Sequence, residues 1–236
     1  MGARLKRWIK MFLPESCLTV YWRWRNRRQS NAERFGDIYR RKLWGGDQSA
    51  DFFSGVGSSL EVVGPYIESV RGVLAGRPRP AVVEIGCGDF GVGSRLTDLA
   101  GRYTACDAVP ELIERNRRLF MGDNLRFVTV DAVTDPLPPG DLVIVRQVFQ
   151  HLRNDQIQRI VKKLAQYRTW IICEHLPSEK DFVPNVDILS GAGNRLAMKS
   201  GVILTERPFS IRPRSVQVLN EAKADSGIIQ AVVYTF

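Results

Sequence analysis

The 236-residue sequence predicts an α/β fold built on a mostly parallel sheet. Three observations predict it. Short β-branched runs alternate with helical segments from Ala81 onward. Acidic residues stand at or just before the ends of successive runs. A glycine-rich turn around Gly86 and Gly88 follows the first run. Alternation of this kind places helices on both faces of a parallel sheet.

Taken in order, a helix at roughly 59–75 carries Leu60, Val63, Ile67, Val70 and Leu74 on one face. The stretch Arg77-Pro78-Arg79-Pro80 breaks the chain before the first core strand. Strands are predicted at Ala81–Ile85, Tyr103–Cys106, Leu125–Val130, Asp141–Val145 and Thr169–Cys173, with further strands at Gly201–Thr205 and Ile228–Phe236, seven in all. Helices are predicted at Val92–Leu99, Glu111–Leu119 and Asp155–Tyr167. The expected organisation is a basic helical arm and lid over residues 1–58, followed by an α/β domain over 59–236.

With 44% apolar and 25% charged residues, the chain reads as a globular protein rather than a disordered one. Its net charge of +9 is concentrated in residues 1–44, which hold twelve Lys or Arg against three Asp or Glu. The remainder carries 22 of each sign. Basicity therefore belongs to the arm and not to the α/β domain. Cys17, Cys87, Cys106 and Cys173 form no CxxC pair, so buried free thiols and a reducing, cytoplasmic compartment are expected, and zinc is not. No apolar run reaches the ~20 residues that span a bilayer.

Residues 3–13 place Leu5, Trp8, Ile9, Phe12 and Leu13 at helical spacing, with basic residues off that stripe. Two readings stand: a surface helix resting on the inner face of a membrane, or one docked on its own domain or on a second subunit of a homodimer.

The turn after the first strand reads Glu84-Ile-Gly86-Cys87-Gly88-Asp89-Phe-Gly91-Val-Gly93. Glycines let the backbone pass close to a ligand, but a lone glycine pattern also opens dinucleotide sites. Here an acid stands two positions before the first glycine. Asp107 ends the second strand, with Ala108 after it, and Asp131-Ala132 follows the third. In open α/β sheets, ligands bind at the carboxyl ends of the strands, so these acids converge on one cleft.

Together these residues resemble motif I and its partner positions in the class I S-adenosylmethionine-dependent methyltransferases, which have a Rossmann-like seven-stranded sheet. The resemblance spans about residues 81–175. It implies that Glu84, Gly86, Cys87 and Gly88 surround the methionine end of S-adenosylmethionine, that Asp107 and Ala108 receive the ribose, and that Asp131 and Ala132 receive the adenine. Arg146 and Gln147, at the end of the fourth strand, complete the expected cofactor set.

Arg146-Gln-Val-Phe-Gln-His151-Leu resembles a segment of small-molecule and sugar O-methyltransferases. It lacks the NPPY or DPPY tetrapeptide of the nucleic-acid amino-methylating enzymes, so a nucleic-acid acceptor is disfavoured. The interleaved aromatic and basic residues of YWRWRNRR keep an RNA acceptor as the alternative, beside a non-catalytic cofactor-binding protein. Methyl transfer to an alcohol needs alignment and a base. His151 is the candidate, against a reading in which it packs or caps a helix start. His175, the other histidine, is a weaker candidate.

Glu174 and Asp187 form a candidate Mg²⁺ pair, since oxygen ligands suit that ion; some sugar O-methyltransferases of similar sequence use such a cation. The segment Trp44 to Ser58 resembles the N-terminal part of bacterial methyltransferases acting on saccharides or glycolipids. That resemblance implies a lid, with Trp44 either stacking on a sugar face or anchoring the arm.

Overall fold

The computed structural model describes residues 28–46, 52–53, 55, 60–179, 181–224 and 227–236. The basic helix expected at 3–13, Cys17, the YWRWRNR stretch and most of the loop after Gly46 lie outside the described residues. The chain runs α1 (Asn31–Arg40), α2 (Leu60–Ala75), β1 (Ala81–Ile85), β2 (Arg102–Asp107), α3 (Pro110–Leu119), β3 (Leu125–Thr129), β4 (Leu142–Arg146), α4 (Asn154–Leu164), β5 (Thr169–Leu176), β6 (Ser215–Ala224) and β7 (Gly227–Thr235). The seven strands form one sheet in the order β3-β2-β1-β4-β5-β7-β6. The first five in that order are parallel, and β7 runs antiparallel between β5 and β6.

Side chains alternate across each strand, so the sheet has two covered faces. On one face Val82, Tyr103, Leu142, Ile144 and Ile171 pack under Val63, Ile67, Val70 and Leu74 of α2. On the other, Val83, Val143, Val145 and Ile172 meet Ile157, Ile160 and Leu164 of α4. Each such fully buried aliphatic side chain contributes about 1.5–3 kcal/mol. The thiols of Cys87, Cys106 and Cys173 are free and buried. No described helix is long and apolar enough to cross a membrane.

Helix α1 begins at a reciprocal cap: Glu33 N donates to Ser30 Oγ (3.2 Å) and Ser30 N donates to Glu33 Oε2 (3.0 Å). Its Tyr39 joins Val109 and Leu112 in a third apolar cluster, with Phe35, Trp44 and Phe52 against it. The arm thus rests on the carboxyl end of the sheet, beside the turn that follows β2.

Three expectations are corrected. Val92–Leu99 is not one helix but two short 3-10 turns, Gly93–Arg95 and Thr97–Leu99. The Ser94 and Thr97 hydroxyls donate to carbonyls three residues back, a local pattern that competes with the α-helical ladder. Gly201–Thr205 is not a strand. The Asn185 side chain takes both backbone groups of Ile203, accepting from its N–H and donating to its C=O, where a neighbouring strand would otherwise pair. The seventh strand is instead Ser215–Ala224, an exposed edge strand with an irregularity at Val218/Asn220.

Candidate active site

A cavity of about 380 Å³ opens at the carboxyl ends of β1, β2 and β4. Its floor is the turn after β1. Gly86 there has φ +72 and Gly88 has φ +55, the left-handed region that glycine enters without strain. A Cβ on Gly86 would stand 2.3 Å from Val148 Cγ2, so the turn following β4 can approach only because that atom is missing. The loop is fastened to the next strand: Gly86 N and Cys87 N both donate to Cys106 O, and Asn116 Nδ2 donates to Gly88 O at 2.7 Å.

Asp107 is buried at the end of β2. Its Oδ2 accepts from Gly88 N and its Oδ1 from Val109 N, both at 3.1 Å. Burial pushes its carboxyl above the usual range, against the backbone hydrogen bonds that hold it down. A carboxylate oxygen can accept a second hydrogen bond, which leaves Asp107 capacity for a diol on the cavity side. Asp131 Oδ1 accepts from Val133 N and from the Asn31 side chain, each at 2.9 Å. Glu84 is 4% exposed and accepts from the Tyr103 hydroxyl at 3.0 Å. Burial pushes it up to about 7.

All ten residues expected around the cofactor, from Glu84 through Asp107 and Asp131 to Arg146 and Gln147, line this one cavity, and so does His151. Gln147 has φ +54, rare for a side-chain-bearing residue, and its N–H donates to Cys173 O. The strained residue marks the point where the chain leaves β4 for the turn Phe149–His151.

That turn is held from both sides. Glu174 accepts from Phe149 N (3.0 Å) and Gln150 N (2.9 Å). Arg195, 1% exposed, donates to the carbonyls of Phe149, Leu152 and Val186 and to Asn154 Oδ1. His151 Nδ1 lies 3.0 Å from Gly193 O, and its Nε2 lies 3.1 Å from Gln150 Nε2. A carbonyl only accepts, so Nδ1 carries the proton and Nε2 the lone pair. Burial pulls the imidazole down to about 4, so it is neutral at physiological pH. The Trp44 ring stands 5.0 Å from the imidazole, and its Nε1 donates to Ala192 O at 3.0 Å.

The S-adenosylmethionine expectation fits this chemistry: a glycine floor, a buried diol-competent carboxylate and a second carboxylate share the cavity wall. Mg²⁺ at Glu174 and Asp187 does not fit, which corrects that expectation. Both Glu174 oxygens accept backbone N–H groups. Asp187 Oδ1 accepts from Asn154 N at 2.7 Å and from Ile188 N at 3.0 Å. Neither residue lines the cavity. Among the described residues, no group of three or more His, Cys, Asp or Glu could hold a metal ion.

Residues 82–168 match the family described as a methyltransferase domain. The chain carries a class I, S-adenosylmethionine-dependent methyltransferase domain. No curated protein sequence matches this chain. Among solved structures, this methyltransferase is similar in fold to the N-methyltransferase NodS from Bradyrhizobium japonicum in complex with S-adenosylhomocysteine. That similarity has 14% identity and a TM-score of 0.52, over 74% of this chain and 87% of that one. It is also similar to EvdMO1, with 15% identity and a TM-score of 0.53 over 88% of this chain, and to TehB from Haemophilus influenzae, with 12% identity and 0.50 over 72%. The chain spans about half (49%) of EvdMO1 and 61% of TehB. At these identities the likeness is one of fold.

Sequence reasoning missed Asn31, Gln150, Asn194 and Arg195. Asn31, Gln150 and Asn194 line the cavity, and Arg195 supports the turn beneath it. The only sequence signal was composition: Asn194-Arg195 sits in a glycine-rich stretch, Ser190-Gly-Ala-Gly193, of the kind that lets backbone close on a site.

Proposed function

We propose that this methyltransferase acts on a hydroxyl oxygen of a saccharide, a glycolipid or a small metabolite. One observation carries the reading. His151 shares a cavity with Asp107 and Asp131, and its hydrogen bond to Gly193 fixes the lone pair on Nε2. S-adenosylmethionine supplies an electrophilic methyl group. The turn at Gly86–Gly88, Asp107 and Asp131 hold and orient the donor. As the acceptor oxygen bonded the methyl and the S–CH3 bond broke, leaving S-adenosylhomocysteine, His151 Nε2 would take the oxygen's proton and release its hydrogen bond from Gln150. Near-in-line positioning of the two reactants supplies most of the remaining acceleration. The Trp44 ring and the Asn194 amide at the same wall suit a sugar, which offers an apolar face and polar edges.

The test is His151→Gln. S-adenosylhomocysteine affinity by calorimetry is expected to stay within threefold. Incorporation of labelled methyl into purified saccharide and glycolipid fractions is expected to fall at least a hundredfold. Undiminished incorporation would overturn the assignment of the base. The basic segment 3–13 would dock this enzyme on an anionic membrane surface inside the cell. Co-sedimentation with phosphatidylglycerol vesicles, lost when 1–13 is deleted, tests that placement.

A further inference from the structure

Gln150 lines the cavity beside His151 and is 6% exposed. Its backbone is pinned, since its N–H donates to Glu174 Oε2 at 2.9 Å. Its side-chain Nε2 lies 3.1 Å from His151 Nε2, while its Oε1 is buried with no hydrogen-bond partner. Buried polar atoms in folded proteins are almost always paired. Swapping the two amide atoms does not supply the partner. Oε1 would then face the Nε2 lone pair. Moving the imidazole proton to Nε2 to meet it would leave Nδ1 against Gly193 O, which also only accepts. One arrangement alone satisfies both imidazole contacts, and it leaves Oε1 unmet. An unmet buried acceptor in the wall of a cavity points to a donor that arrives with the ligand.

The chemistry of that ligand follows from the order of the groups. His151 Nε2 accepts, Gln150 Nε2 donates and Gln150 Oε1 accepts. A hydroxyl that enters between the two side chains donates to His151 Nε2 and accepts from the Gln150 amide N–H, which keeps that N–H paired. A hydroxyl oxygen has two lone pairs, so one remains for the methyl group. Oε1 shares its carbon with the amide nitrogen. The group that fills it therefore stands immediately beside the first hydroxyl and carries a proton of its own. A second hydroxyl on the adjacent carbon meets both conditions. An ether or ketone oxygen there would face Oε1 acceptor to acceptor, and a methylene would leave it unmet.

We infer that Gln150 selects the acceptor: its amide spans two hydroxyls on neighbouring carbons, so that the methyl goes to one member of a vicinal diol. The inference deepens the reading of His151 as the base at the acceptor hydroxyl and rests on it. A site built to pair a ligand hydroxyl discriminates strongly against an analogue that lacks it, because its own polar atom is then left buried and unpaired.

The test titrates two probes, cis-1,2-cyclohexanediol and cyclohexanol, into the full chain with S-adenosylhomocysteine bound. Affinities are read from the magnetic resonance shifts of the His151 imidazole and the Gln150 side-chain amide. Wild type is expected to bind the diol about tenfold or more tightly than the alcohol, with both side chains shifting. Gln150→Met removes both amide groups at similar side-chain length and is expected to bring the ratio close to one. The ratio compares two ligands on one protein, so a general loosening of the turn does not imitate the effect, and the wild-type ratio decides without any variant. A wild-type ratio near one, or a preference that survives Gln150→Met, overturns the role of Gln150 while the hydroxyl site at His151 stands. No shift of the imidazole with either probe overturns the acceptor site at His151 and the selection by Gln150 with it.

Discussion

Asn31 donates its side-chain amide to Asp131 across 2.9 Å, joining the first turn of α1 to the end of β3 a hundred residues later. The Asn31 carbonyl oxygen accepts in turn from Arg34 Nη1 at 2.7 Å and from Gln156 Nε2 at 3.2 Å. The arm is therefore fixed to one of the carboxylates that line the cavity.

Replacing Asn31 by Ala should loosen that side of the cavity. Loss of one hydrogen bond to a charged group is worth about 1.5–3 kcal/mol, and only part of it falls on the ligand. A three- to thirtyfold weaker S-adenosylhomocysteine Kd by calorimetry is expected, with the sheet intact by circular dichroism. An unchanged Kd would mean that the arm's contact does not reach the donor.

His151 should stay neutral down to about pH 4 rather than titrating at its ordinary 6.5. Nitrogen-detected imidazole shifts across pH 3.5–8 would read this directly. The sign for stability follows. Between about 4 and 6.5 the unfolded chain binds the proton that the folded ring refuses, so this residue makes stability rise with pH over that window. Glu84 and Glu174, both pushed up to about 7, act in the opposite direction from their ordinary 4.5 upward. The His151 contribution is therefore the difference in slope between wild type and His151→Gln, measured by urea unfolding at several pH values.

Glu174→Gln should act on the fold of the turn and not on metal content. It sets an amide donor against the N–H of Phe149 or Gln150 in a buried place, at roughly 1–3 kcal/mol. A lower Tm that added Mg²⁺ does not restore is expected; recovery with Mg²⁺ would reinstate a cation there.

Gly86→Ala combines a positive φ with a Cβ 2.3 Å from Val148. It is expected to abolish measurable S-adenosylhomocysteine binding and to lower Tm. Adding Val148→Ala relieves the clash but not the backbone strain, so the double variant should recover only in part. Full recovery would show that crowding, and not φ, requires glycine.

The side of the cavity expected to take the donor, formed by the turn after β1 and the ends of β2 and β3, was legible in the sequence because its signals are local. The glycines of the first turn, Asp107 at the end of β2 and Asp131 just past β3 each declare themselves within a few residues of a strand. The acceptor half was not legible in this way. Arg195 reaches Phe149 across 46 positions, and Trp44 reaches Ala192 across 148. No periodicity encodes such pairs. The edge strand Ser215–Ala224 escaped because its side chains are mostly exposed and so lack the alternation that a half-buried strand shows. The same blindness made Glu174 and Asp187 look like ligands. A carboxylate's partner can be a distant backbone N–H, which leaves no trace in composition.

The turn Phe149–His151 hangs between Glu174 on its N–H side and Arg195 on its carbonyl side, and neither clamp touches the glycine floor. This division has an evolutionary consequence. Insertions and substitutions across 185–195 can reshape the wall beside His151 while the glycine turn and Asp107 stay as they are. One scaffold can then diversify into many specificities, with selection working on the loops alone.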